Sequence, residues 1–151
     1  MTLVHEGDTR DFSEFYRLST FSAAELEMSA SDVHFFFTMR NQIKLYHWQT
    51  YSYARHKATD DVVNSLDEHI DLYVEVYMGK YGRMKMTPKT GTFKVENLTD
   101  KKAVIFVKEC IQILNGPLVK DLDPKRDTDL FNIRDEMLGD LNQLLYLFTL
   151  K

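Results

Sequence analysis

The sequence predicts an all-α protein: a four-helix bundle with one long loop between the second and third helices. Three observations predict it. Apolar side chains recur at helical spacing in four separate runs, without the strict alternation of a half-buried strand. Only three prolines occur, Pro88, Pro117 and Pro124, and none interrupts a run. The longest runs cover about 20 to 29 residues, a length that suits bundle helices joined by turns and a crossover.

The first helix is expected from about Ser31 to Thr50. "SASD", Ser29 to Asp32, offers N-cap residues, and Phe36, Met39, Ile43, Tyr46 and His47 follow at helical intervals. The second runs from about Ser52 to Lys80 on the stripe Val63, Leu66, Ile70, Tyr73, Val74 and Tyr77, with Gly79 and Gly82 marking its end. From Arg83 to Asp100 the period disappears, and "TGTFKVEN" reads either as a short hairpin or as an irregular loop. "LTDKK" caps a third helix carrying Val104, Val107, Ile111 and Leu114, which "NGPL" at 115–118 should end or kink. After "DPKRDTD", a fourth helix spans about Asp129 to Leu150, with Ile133, Met137, Leu141, Leu144, Leu145 and Phe148 on one side. Residues 31–151 form the bundle on this reading. Residues 1–30 form a partly ordered N-terminal extension on this reading, in which "DFSEFYRL" suits a short helix or stays mobile.

Composition narrows the class. Apolar residues at 44% and charged residues at 28% are an ordinary globular mix. No stretch approaches the roughly 18 to 20 apolar residues of a membrane span. The start of the chain lacks an apolar signal core, and the single Cys110 agrees with a reducing compartment, so a cytoplasmic protein is expected. "NLT" at Asn97 matches a glycosylation sequon, which chance explains without a secretory signal. The net charge of −4 argues against a protein that works by coating DNA, and Arg10 and Arg17 are the only strong cations in the first 31 residues. A basic run, Lys80 to Lys89, falls in an apparent loop and reads as a solvated connection or as a nucleic-acid or partner contact.

The chemistry-bearing residues gather on the second helix. At 100° per residue, His56, Asp60, Asp67, Asp71 and Glu75 share a stripe of roughly a quarter turn that borders the apolar arc. His56 with Asp60, and Asp71 with Glu75, are both i, i+4 pairs, and each suits two ligands on one ion. Imidazole plus carboxylate suits iron, and zinc or manganese as well. The two pairs stand about 22 Å apart along one helix, so they cannot share an ion within it. An antiparallel two-fold dimer brings His56 and Asp60 of one chain to Asp71 and Glu75 of the other and makes two equivalent sites. A tight turn at Thr50 to Ser52 would place His47 near His56, with Trp48 at the edge. His5, His34 and His69 read as structural hydrogen-bonding residues, and His69 points away from the stripe.

These residues carry a resemblance. His47-Trp48 followed by His56-x3-Asp60 and then by Asp71-x3-Glu75 resembles the Dps-like miniferritins of the ferritin-like superfamily. It covers about Ser31 to Lys151, with its specific signal between Tyr46 and Glu75. The "YHWQT-SYARHKA" stretch is also similar to small proteins of large DNA viruses, so the virion or the host cytoplasm is an alternative compartment. The resemblance implies a ferritin-like bundle with His47, His56 and Asp60 of one subunit and Asp71 and Glu75 of its two-fold neighbour as iron ligands. It further implies Fe(II) oxidation, with peroxide preferred over oxygen, and iron storage in a dodecameric shell. The turn between His47 and His56 is shorter than the family's by about three residues and lacks its glycine. No basic tail is present, so the family's DNA binding is not carried over. A non-enzymatic assembly or virion protein, and a DNA-compacting shell using the Lys80–Lys89 run, are the alternatives.

Overall fold

The structure, a computed structural model, describes residues 25–151, with side chains from Ala30 onward. The candidate helix "DFSEFYRL" therefore lies outside the described residues. Four helices follow in order: α1 (Glu25–Gln49), α2 (Tyr53–Tyr81), α3 (Asp100–Asn115) and α4 (Thr128–Leu147). The all-α four-helix bundle is thus observed, and no strand forms among the described residues.

Helix boundaries follow local chemistry. α1 begins ahead of Ser31, because "ELEM" upstream is built of strong helix formers. "SASD" consequently lies within α1 and does not cap it, and Ser31 and Asp32 are buried there. Ser52 caps α2, accepting from the Arg55 amide at 3.2 Å. α2 ends where Gly82 takes φ 91°, a conformation that side chains with a Cβ rarely adopt. Thr99 caps α3 in the same way through the Lys102 amide. Gly116 and Pro117 end α3 outright and do not kink it. Lys80 belongs to the last turn of α2, so the basic run is not wholly in a loop.

Paired contacts fix the direction of each helix. Arg40 reaches Asp67, and Phe36 meets Tyr73 edge-on, so α1 and α2 are antiparallel. Arg55 bonds the Phe148 carbonyl and Lys80 bonds Asp129, so α2 and α4 are antiparallel. Arg134 bonds the Leu114 carbonyl, which places the end of α3 beside the start of α4. The connection 82–99 runs back along α1 as an irregular strap. His34 Nδ1 donates to the Thr90 carbonyl, and the Gln42 amide group both donates to and accepts from the Glu96 backbone. Gln49 then donates to Asn97. The strap returns the chain to the end where α2 began, so α3 runs parallel to α2. One long crossover joining two antiparallel helix pairs is a known bundle topology.

The core joins all four helices through Phe35, Met39, Leu66, Leu114, Met137 and Leu141. Burial of each such side chain contributes about 1.5–3 kcal/mol. His47 is buried at the edge of this core, at the end where α1 turns into α2.

Candidate metal centre

The turn of Thr50 to Ser52 sets His47 beside His56. The Thr50 amide still bonds the Tyr46 carbonyl, and its hydroxyl accepts from the Ser52 amide, which turns the chain within three residues. The two imidazoles stack with centroids 4.0 Å apart and planes 17° apart. Their hydrogen bonds are reciprocal. His47 Nδ1 donates to the His56 carbonyl at 2.7 Å, and His56 Nδ1 donates to the His47 carbonyl at 2.9 Å. Thr59 Oγ1 is a second acceptor for His47 at 3.1 Å.

A carbonyl only accepts, so both Nδ1 atoms carry hydrogen. In the neutral rings each Nε2 then holds a lone pair. A histidine that is to bind a metal needs this arrangement: one nitrogen tied to the backbone, the other fixed in tautomer and direction. His47 Nε2 faces Asp60 Oδ1 at 3.8 Å. That gap is too long for a hydrogen bond. Two donors on one tetrahedral ion with bonds of roughly 2.1 Å stand about 3.4 Å apart, so the pair would have to close by a few tenths of an ångström to share one.

Two residues missed in the sequence shape this half-site. Lys44 Nζ lies 3.5 Å from the same Asp60 oxygen and 5.6 Å from the Trp48 ring centroid. Thr59 holds His47 from below. Both stand one helical turn from a named histidine, so i±3 spacing would have found them. Behind the pair, Tyr46 donates to Asp100 Oδ1, and Arg55 donates to the Tyr46 hydroxyl and the Asp100 carbonyl. Burial, then the Asp100 bond, pushes the Tyr46 phenol above its ordinary value. The guanidinium of Arg55 also lies 4.4 Å from the Phe148 ring centroid. Neighbours 46 and 47 are therefore matched against neighbours 55 and 56, which fixes the histidine pair from both sides.

The other carboxylates lie elsewhere. Asp71 and Glu75 are exposed, further along α2. Asp71 lines a groove of about 670 Å³ between α1 and α2, together with Phe36, Phe37, Ile70, Val74 and Met84. The Arg40–Asp67 ion pair borders this groove, so Asp67 is already engaged. Among the described residues, no three His, Cys, Asp or Glu side chains converge to hold an ion. One chain stacks His47 on His56, sets His47 3.8 Å from Asp60, and leaves Asp71 and Glu75 apart. His69, off the stripe, donates from Nδ1 to Asp140 at 2.8 Å, and Ser65 donates to the other oxygen of that carboxylate.

Residues 47–148 match the model of a family of unknown function, DUF5856. The chain belongs to this family. The matched span begins at His47 and contains all five candidate ligands. No curated protein and no solved structure matches the chain. No helix among the described residues is long and apolar enough to cross a membrane.

Proposed function

We propose that two copies of this chain pair through the α1–α2 face, bind Fe(II) between them and oxidise it with peroxide. His47, His56 and Asp60 of one copy face Asp71 and Glu75 of the other. The observation that carries this reading is the reciprocal histidine pair, which commits both Nδ1 atoms and reserves both Nε2 atoms. Register supports it. His56 opposite Glu75 and Asp60 opposite Asp71 share one midpoint between Ser65 and Leu66, so a single two-fold axis satisfies both pairings. The groove supports it as well, because it puts Asp71 on an apolar face that a second copy would cover.

Iron is the substrate here. Two ferrous ions each give one electron to one peroxide, which takes up two protons and leaves as two waters. The carboxylates neutralise the cation, the imidazoles orient it, and the unfilled positions admit the oxidant. Assembly into a dodecameric, ferritin-like shell that stores ferric mineral in the cytoplasm extends the same reading.

A second reading is a Dps-like assembly or virion protein without turnover. The position of Lys44 favours it, since a fixed ammonium already balances Asp60. Anaerobic Fe(II) titration followed by a stoichiometric peroxide pulse separates the two. Saturable binding with rapid oxidation, lost in Asp71→Ala and Glu75→Ala at unchanged helicity, supports the ferroxidase. Equal binding by both variants would refute the intersubunit site.

A further inference from the structure

We propose that Tyr73, Tyr77 and Tyr81 form a relay that carries an oxidising equivalent from inside the bundle to its surface. The three stand at i, i+4 and i+8 on α2, so their rings follow one another along one face. Ring centroids are 6.4 Å apart from Tyr73 to Tyr77 and 5.0 Å apart from Tyr77 to Tyr81. Exposure rises along the row, from 1% at Tyr73 and 6% at Tyr77 to 38% at Tyr81. At the inner end Tyr73 meets Phe36 edge-on at 5.3 Å, and Phe36 lines the same groove as Asp71.

Aromatic rows on buried helix faces usually serve packing. The hydroxyl groups point beyond packing. Tyr73 is fully buried, and its hydroxyl has no hydrogen-bond partner among the described residues. A buried unpaired hydroxyl costs roughly 1–3 kcal/mol, a cost that phenylalanine would avoid in the same space. At the outer end the Tyr81 hydroxyl donates to Asp127 Oδ1 at 2.6 Å. A phenol that loses an electron becomes a very strong acid and must pass its proton on. Tyr81 has a carboxylate in place for that proton, and Tyr73 has no acceptor. The oxidised state is therefore most stable at Tyr81, and the row slopes outward.

A hydroxyl radical, formed together with hydroxide when only the first of the two ferrous ions has reduced the peroxide, is the oxidant. It gains one electron passed along Tyr81, Tyr77 and Tyr73 and one proton from solvent, and leaves as water. Tyr81 gives its proton to Asp127 and becomes a neutral radical. A soluble one-electron reductant such as ascorbate returns it to phenol. The relay rests on the iron reading only for the source of this oxidant.

The test supplies the oxidant independently of iron. A ruthenium polypyridyl photosensitiser is attached to Asp71→Cys in the full chain. The native Cys110 is wholly buried with its thiol pKa pushed up by burial, which keeps it out of the reaction. Flash oxidation should give a tyrosyl radical by transient absorption. Tyr81→Phe and Tyr77→Phe should each lose it, while Tyr73→Phe should lose it and also raise the melting temperature. A radical yield unchanged in Tyr77→Phe and Tyr81→Phe would overturn the relay and leave the row as packing. Because ruthenium replaces iron, failure of iron binding leaves this test intact.

Discussion

The two ends of the bundle are both tied by polar side chains, and they differ in what those ties leave over. At the end where α2 meets α4, Lys80 donates to the Arg126 carbonyl, to Asp129 and to Asp127. Asp127, 1% exposed, also accepts from the Tyr81 hydroxyl and the Asp123 amide. Lys80, Asp127 and Asp129 thus spend their charges on one another. At the end where α1 meets α2, the histidines spend Nδ1 on backbone carbonyls and keep Nε2 in hand, and Asp60 stays part-exposed. Residue type alone does not distinguish a clasp from a candidate site. Unused bonding capacity does.

The largest expected effect breaks the clasp. Asp127→Ala leaves Lys80, Tyr81 and the Asp123 amide without their buried acceptor, and should cost roughly 3 kcal/mol. For a domain of this size that is a fall in melting temperature of about 10 °C. Iron binding by the folded fraction should be unchanged. A calorimetric shift of a degree or less would mean that the clasp is ornamental.

His47→Ala tests the opposite end. It removes the Nδ1 hydrogen bond shared between the His56 carbonyl and Thr59, and a stacked ring, costing about 2 kcal/mol, and should abolish saturable Fe(II) binding. This variant thus loses less stability than Asp127→Ala and more function. If iron still binds, the reserved Nε2 atoms are not ligands.

The pH response should separate the ends as well. Burial pushes the Asp127 carboxyl up, but the bonds from Tyr81, Lys80 and the Asp123 amide outweigh it and hold it below the usual range. Asp129 is lowered mainly by its bond from Lys80, and Asp123 mainly by the Lys125 and Arg126 amides. A carboxyl with a depressed folded pKa adds stability above its unfolded pKa of about 3.9, and that stability is lost as pH falls through the folded value. Acid unfolding should therefore begin below about pH 4, and Asp127→Asn should flatten its slope. Urea midpoints measured across that range decide it.

The fold was legible in the sequence because periodicity, caps and breakers agree along α2 and α3, while the apolar period alone marks α4. Ser52 and Thr99 cap the helices they precede, and the apolar stripe of α4 from Ile133 to Phe148 enters the core apart from Leu145, which packs against it half-buried. The start of α1 was misplaced because Ser29 to Asp32 carry cap chemistry inside a run of helix formers, and tertiary burial decided between them. Of the candidate site, the His47–His56 proximity was readable from the short turn. The Lys44–Asp60 pair was readable in principle, one turn from His47. Arg55 on Asp100 and Phe148 was not, because those contacts join residues 45 and 93 positions apart. Only the crossover strap and the course of α4 bring them together.

The smallest effect sharpens the comparison most, because the same change should act on stability at one end and on binding at the other. Lys80→Met removes the cation from buried Asp127 and should destabilise the fold. Lys44→Met removes the cation from Asp60, which stays solvated, so stability should hardly move. Its consequence is for binding. The ammonium 3.5 Å from Asp60 Oδ1 competes with any ion placed between that oxygen and His47 Nε2. A part-exposed ion pair contributes about 0.2–1 kcal/mol, so removing it should tighten Fe(II) binding by about 1.4- to 5-fold. Anaerobic titration of wild type and Lys44→Met at one ionic strength reads this directly. Binding no tighter in the variant would mean that Lys44 does not compete with an ion for Asp60, and would shift the reading toward an assembly protein whose Asp60 serves as a structural counter-ion.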